Sequence, residues 1–434
     1  MKTPGNSSEN WKQVEKAGEF LLKVSALTFA LSIPTSIALD NFAAFTGLIG
    51  LILLLISRGA GLELPPVKPL AIFLLPQVIH FLKNPLKLFK STCLKQYLVA
   101  YFVGYRAALS RSFLKKVAVI LSLSAMLLSL SVIFEALTGQ NIKHLNLHSL
   151  HLLKGIYRAE GLLNNALTTG GVLYVTTPLL LVFYLIFREK KFALAGLTGL
   201  AGLIVNMSRS YWLGLIVFAL TLTVTGLTVR EFRRAAISGL LLLAITGGVV
   251  ASVPQLRARA LSTIDIKHNG SNKDRLTIWT AYIYSFKKDY SPAELLLGTG
   301  ERATGLAVKH AKEACLKVYG ERWCRGKNYL PRVHGGETHN IYLKFLSKYG
   351  IVGLLAYLFF WAYAIWKNLK AFIKRKELPF AIFTATYAGF LTAGFFENNF
   401  TDAEVMTAIL FTLGINFALL SQGNAEKPPC QREA

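Results

Sequence analysis

Along this chain apolar residues do not alternate with polar ones. They run together in long stretches broken by short polar connections, at 20–39, 42–56, 69–82, 96–109, 117–137, 171–187, 192–205, 212–229, 236–253, 351–365, 380–396 and 405–420. Only helices or closed barrels satisfy the backbone in lipid. Continuous apolar runs, rather than period-two alternation, select helices. The pattern therefore predicts an all-α polytopic membrane protein with about twelve transmembrane helices. The runs at 69–82 and 96–109 are short for a span. Residues 141–161 are polar but carry Leu145, Leu150 and Leu153 at helical spacing, as an interfacial amphipathic segment does. Residues 1–19 mix both charges and lack the basic start of a cleavable signal, so the first run is expected to be retained.

One polar stretch is much longer than the others. It divides the chain into an N-terminal bundle at 1–253, a loop at 254–338 expected to carry the catalytic face, and a C-terminal part at 339–434 with the last spans and a tail. The connections 188–191, 230–234 and 367–376 are basic and lie an even number of runs apart, which assigns them to the cytoplasmic side. Both termini then fall inside. The long loop, Arg209 and the turn at Glu397-Asn398-Asn399 fall outside. The connection 83–95 also comes out external although it is basic, so it breaks the rule or its flanking runs are not both spans.

Composition strengthens the membrane reading. The chain is 53% hydrophobic and 16% charged, with a mean hydropathy of +0.44, where a soluble domain carries about 25% charged residues. The net charge of +25 exceeds what cytoplasmic connections alone explain, because much of it lies in the external loop. That surface asks for an anionic partner such as a phosphate or lipid head group, and membrane lipids rather than nucleic acid are the expected partners. Cys315 and Cys324 share the loop. In an oxidising compartment they read as a disulfide, otherwise as two free thiols. Without matching histidines they make a poor zinc site.

Three places carry candidate chemistry. Arg209, within Asn206-Met207-Ser208-Arg209-Ser210, stands between two apolar runs, where a charge is costly unless it meets protein, water or a ligand. It reads as an anion clamp or as a snorkelling side chain. Arg275 opens a stretch in which Ile278 and Trp279 share its helical face, and its fork suits a phosphate. Leu297-Gly298-Thr299-Gly300 follows as a tight turn. His339 lies where the loop re-enters the membrane, after His334-Gly335-Gly336-Glu337-Thr338. It reads as a general base near neutral pH, or as a histidine packed at a helix start. No nucleophile elbow, zinc-protease or phosphate-loop motif is present, and no clustered carboxylates call for a divalent metal.

His339-Asn340 followed by Gly350-x-x-Gly353 resembles the signature shared by O-antigen ligases, O-antigen polymerases and bacterial protein O-oligosaccharyltransferases. Ser208-Arg209-Ser210 and the stretch from Arg275 to Trp279 and Gly298-x-Gly300 are similar to further elements of that family, as is Arg158-Ala159-Glu160-Gly161 with Asn164-Asn165. The resemblance runs from Arg158 to the end. It implies a glycosyltransferase of the GT-C membrane type in the bacterial inner membrane, with no metal or other cofactor. The implied donor is a glycan on undecaprenyl diphosphate, and the implied acceptor is a sugar hydroxyl of lipid A–core. On that reading His339 is the general base, Arg209 and Arg275 hold the diphosphate, and Arg158, Arg332, His334 and Asn340 are supporting candidates. A polymerase of the same family shares every motif. A flippase for the same lipid is the reading from another class, opposed by spans that are nearly free of charge.

Overall fold

The computed structural model describes residues 5–82, 97–144, 157–163, 165–266, 268–324, 333 and 338–422. They form helices and connections, with no strand among them. The membrane-type helices are α1 (Gly5–Ser32), α2 (Ile37–Arg58), α3 (Val67–Leu82), α4 (Leu98–Ala108), α5 (Arg111–Thr138), α6 (Ala166–Phe187), α7 (Lys190–Val205), α8 (Arg209–Thr228) and α9 (Arg233–Ser252). The long loop supplies α10 (Pro254–Leu261), α11 (Gly270–Lys288), α12 (Pro292–Leu297), α13 (Arg302–Lys309), α14 (Ala311–Tyr319) and α15 (Glu321–Cys324). The chain returns through α16 (Ile341–Arg375), α17 (Leu378–Ala393) and α18 (Ala403–Gln422).

A helix stands at each apolar run, but length and composition support fewer crossings than twelve. Six helices (α2, α5, α6, α8, α16 and α18) are long and apolar enough to cross a membrane. Counting the pair α9–α10, bent by 104°, makes seven. The others differ for physical reasons. α3, α7 and α17 have 16 residues each, about 24 Å of rise against a hydrocarbon core of about 30 Å. α4 has 11 residues, and α1 begins with a polar half containing Lys12, Glu15 and Lys16. The basic connection 83–95 and most of the segment 141–161 lie outside the described residues.

Chemistry at the helix ends matches their directions. Ser110 accepts from Phe113 N at the start of α5, and Gly139 closes that helix in the left-handed region. Along α5, Leu121, Ala125, Leu128 and Val132 are buried while Leu123, Leu127 and Leu130 stay exposed. Both faces are apolar, as expected of a helix with protein on one side and lipid on the other. α6 and α18 lie innermost, with 72% and 78% of their apolar windows buried. Basic residues close α2, α6 and α16 at one end of the bundle, hereafter the basic end. The long loop covers the other.

The loop helices are held to one another and, by a separate clasp, to the bundle. A small apolar cluster joins Ile278, Ala281 and Tyr282 of α11 to Ala303, Ala307, Ala311 and Ala314, and Cys315 is disulfide-bonded to Cys324 with a Cα–Cα distance of 6.1 Å. Below it, the turn after α12 clasps a kink in α16. Thr299 N donates to Ser347 O at 3.2 Å and Gly300 N to Lys348 O at 2.9 Å, while His80 Nε2 donates to Leu297 O. Gly298 (φ 80°) and Gly350 (φ 67°) face each other across this clasp. A Cβ on Gly298 meets the Lys348 carbonyl, and one on Gly350 meets the Leu296 carbonyl. One glycine from each of the two glycine motifs thus lets two backbones touch.

Candidate active site

The reversal between α7 and α8 is built to present Arg209. Met207 takes φ 59°, Asn206 Nδ2 donates to Ala159 O at 2.7 Å, and Ser208 Oγ donates to Ala166 O at 2.9 Å. Arg209 is therefore the first residue of α8, 6% exposed. Its guanidinium donates to Ser262 O at 2.6 Å and lies 3.4 Å from Ser271 Oγ. Arg259, one turn before the end of α10, donates to Met207 O at 3.1 Å and so braces the same reversal.

A second reversal presents His339. Asn340 caps α16 by accepting from Leu343 N at 2.9 Å, which gives this supporting candidate a backbone role. Asn398 Oδ1 accepts from Thr338 Oγ1 at 2.6 Å and from Asn340 N at 3.3 Å. Trp279 Nε1 donates to Thr338 O at 2.9 Å, which ties this point to α11. Between these anchors His339 is held in the left-handed region at φ 46°, a strained conformation for a residue with a side chain.

The turn between α17 and α18 brings Glu397 between the two. Glu397 is 4% exposed. Its Oε1 accepts from Arg275 Nη2 at 2.6 Å and from Ser210 Oγ at 3.2 Å. Its Oε2 lies 3.6 Å from Nδ1 of His339, a buried nitrogen with no hydrogen-bond partner among the described residues. An aromatic floor supports this turn, with Phe400 packed against Phe73, Tyr357, Trp361 and Phe390.

Two cavities meet at this point. The first, of about 260 Å³, is lined by Arg158, Arg209, Arg259 and Arg275, with Asp274, Ser271, His339 and Glu397. The second, of about 300 Å³, is lined by His339, Glu397, Tyr211, Asn398, Asn399, Thr401 and Asp402. His339 and Glu397 belong to both. One side is crowded with guanidinium groups and the other with amides, hydroxyls and a carboxylate. Burial pushes Arg158 below the usual arginine value, with Arg275 pushing the same way and Glu397 opposing. An anion in the first cavity relieves that crowding.

Arg209, Arg275, His339 and Arg158 thus converge from three separate parts of the chain. Arg332 and His334 lie outside the described residues. Arg259 and Glu397 were not among the residues the sequence singled out as candidates. The signal for Glu397 was present as a polar Glu-Asn-Asn turn between two apolar runs, where a buried acid asks for a partner.

Residues 194–358 match the O-antigen ligase family model. This segment is similar to the O-antigen ligase family. It contains Arg209, Arg259, Arg275, His339 and both glycines of the clasp, and it ends before Glu397. The match, with the apolar helices, suggests a multi-pass membrane protein with ligase- or polymerase-type, glycosyltransferase-like activity in lipopolysaccharide biosynthesis. The family suggests, in general, a polyprenyl-linked glycan and a lipid acceptor as partners. No curated protein matches the chain at a significant level.

Proposed function

We propose that the chain is an O-antigen ligase of GT-C type, which moves a glycan from undecaprenyl diphosphate to a sugar hydroxyl of lipid A–core at the periplasmic face of the inner membrane. The observation that carries this reading is the shared wall. His339 and Glu397 stand between an arginine cavity and a cavity of neutral and acidic polar groups. A diphosphate suits the first by charge and by the forked geometry of arginine. A polyhydroxyl acceptor suits the second, where amide and carboxylate oxygens accept its hydroxyl protons.

The chemistry follows from that division. The acceptor oxygen attacks the anomeric carbon and forms the new C–O bond. The bond to the diphosphate oxygen breaks, and its electron pair leaves on the diphosphate. Arg209, Arg275, Arg259 and Arg158 meet the growing charge, so the arginines rather than a metal ion supply the positive field. The acceptor proton passes to His339. Its Nδ1 faces Glu397, which leaves Nε2 as the base and sets a carboxylate beside the imidazolium that forms. Direct attack inverts the anomeric configuration. The disulfide at Cys315–Cys324 supports an oxidising compartment for the loop, and the basic loop favours a phosphorylated acceptor over a second polyprenyl glycan.

Reconstitution tests the reading. Purified protein is mixed with undecaprenyl-diphosphate-linked glycan and lipid A–core in the presence of chelator, beside His339→Ala. Glycan on lipid A–core with the wild type and not with the variant is the expected result. Lengthened lipid-linked glycan with lipid A–core untouched makes the chain a polymerase. Movement of donor across vesicles by His339→Ala, without transfer, makes it a flippase.

A further inference from the structure

At the basic end of the bundle, far along α16 from His339, lies a cavity of about 470 Å³. Lys367, Lys370 and Lys374 line it, spaced three and four residues apart and therefore on one face of the helix. All three are exposed. Arg375 completes the rim and is fixed there, its guanidinium donating to Leu420 O at 2.7 Å and lying 5.4 Å from the Phe380 ring. Among the described residues no carboxylate lines the cavity, and the nearby Glu63 is engaged by the wall residue Tyr105, whose Oη donates to it at 2.9 Å. The floor is apolar, formed by Leu64, Pro66, Phe417 and Leu420. Four cations around an apolar floor cost stability through mutual repulsion unless an anion sits among them.

The surroundings of α16 indicate where that anion comes from. Trp366 is 60% exposed and Ile373 56% exposed, on the same turns as the lysines. A tryptophan beside lysines at a helix end marks the head-group level of a membrane. We propose that this cavity binds the phosphodiester head group of an anionic phospholipid, whose acyl chains run along the apolar face of α16. The positive-inside rule explains why lysines gather at this end. It does not explain why they converge on a hollow with an apolar floor. The inference is independent of the glycosyl-transfer reading, because the cavity shares no residue with the site around His339.

The full-length protein, stripped of lipid in detergent, is titrated with phosphatidylglycerol and with phosphatidylcholine and read by native mass spectrometry. Wild type is expected to hold phosphatidylglycerol on the order of tenfold more tightly. The triple variant Lys367→Gln, Lys370→Gln, Lys374→Gln is expected to bring the two lipids close to parity, while the corresponding triple arginine variant keeps the preference. If the triple glutamine variant does not accumulate, Lys370→Gln alone carries the test through a partial loss. Equal retention of both lipids by wild type overturns the proposal, as does a preference that survives the glutamine substitutions. Release of phosphatidylglycerol by millimolar inorganic phosphate also overturns it, because the ligand is then a soluble anion.

Discussion

Arg275 shows most directly how much a single side chain carries. Its bond to Glu397 spans 122 positions and joins the loop to the turn between the last two helices. Truncation to alanine removes the proposed donor to the diphosphate and leaves Glu397 buried without its closest cation. The expected result is a loss on the order of 10²-fold in kcat/KM, with membrane levels kept. Arg209→Lys is the subtler test. It keeps the charge but loses the fork that reaches Ser262 and Ser271 at once, and at least a tenfold fall in activity is expected from donor titrations. Wild-type kinetics in Arg209→Lys would show that Arg209 acts only as a point charge. Arg209 and His339 were legible in the sequence because each borders an apolar run, and Arg275 because Ile278 and Trp279 share its helical face. Arg259 was not, since a basic residue in a polar loop resembles any solvated arginine until the fold turns it toward Met207.

Among the elements, the clasp between the α12 turn and the kink of α16 explains why a glycine motif surrounds the histidine. The motif was readable, but its reason was not, because it lies in two carbonyls that approach from distant parts of the chain. Gly350→Ala is expected to cost about 1–3 kcal/mol through forced backbone alone, more once the Leu296 carbonyl is displaced, and to lower Tm and activity together. The disulfide acts on the other side of the loop. Breaking the Cys315–Cys324 bond, by reductant or by Cys315→Ser, is expected to cost about 2–4 kcal/mol. It frees Tyr319, which donates to Asp274 at 2.6 Å one residue before Arg275. Faster proteolysis between α14 and α15 on reduction is the readout. An unchanged digestion pattern would mean that the alanine cluster on α11 holds the loop unaided.

For the molecule as a whole, the bundle is held by packing and by a few buried polar contacts. Asn368 and Asn416 exchange hydrogen bonds at 2.8 and 2.7 Å, and Tyr387 Oη donates to Asn416 at 3.1 Å, linking α16, α17 and α18. Such bonds contribute roughly 1 kcal/mol each in lipid. Asn416→Ala is expected to reduce thermal stability modestly while leaving the donor site intact, measured as Tm against donor affinity. The run pattern located the helices well because lipid leaves the backbone few alternatives. It predicts about twelve crossings where length and composition support six or seven among the described residues, since a short apolar helix shielded by its neighbours reads like a span until its length is set against the membrane. The position of Glu397 also bears on timing. It lies on the connection between the last two helices, so a chain still emerging from the ribosome already holds its arginines and His339 but lacks the carboxylate between them. The arginine and histidine walls of the pocket therefore close around a carboxylate only when the hairpin of α17 and α18 has packed against α8 and α11.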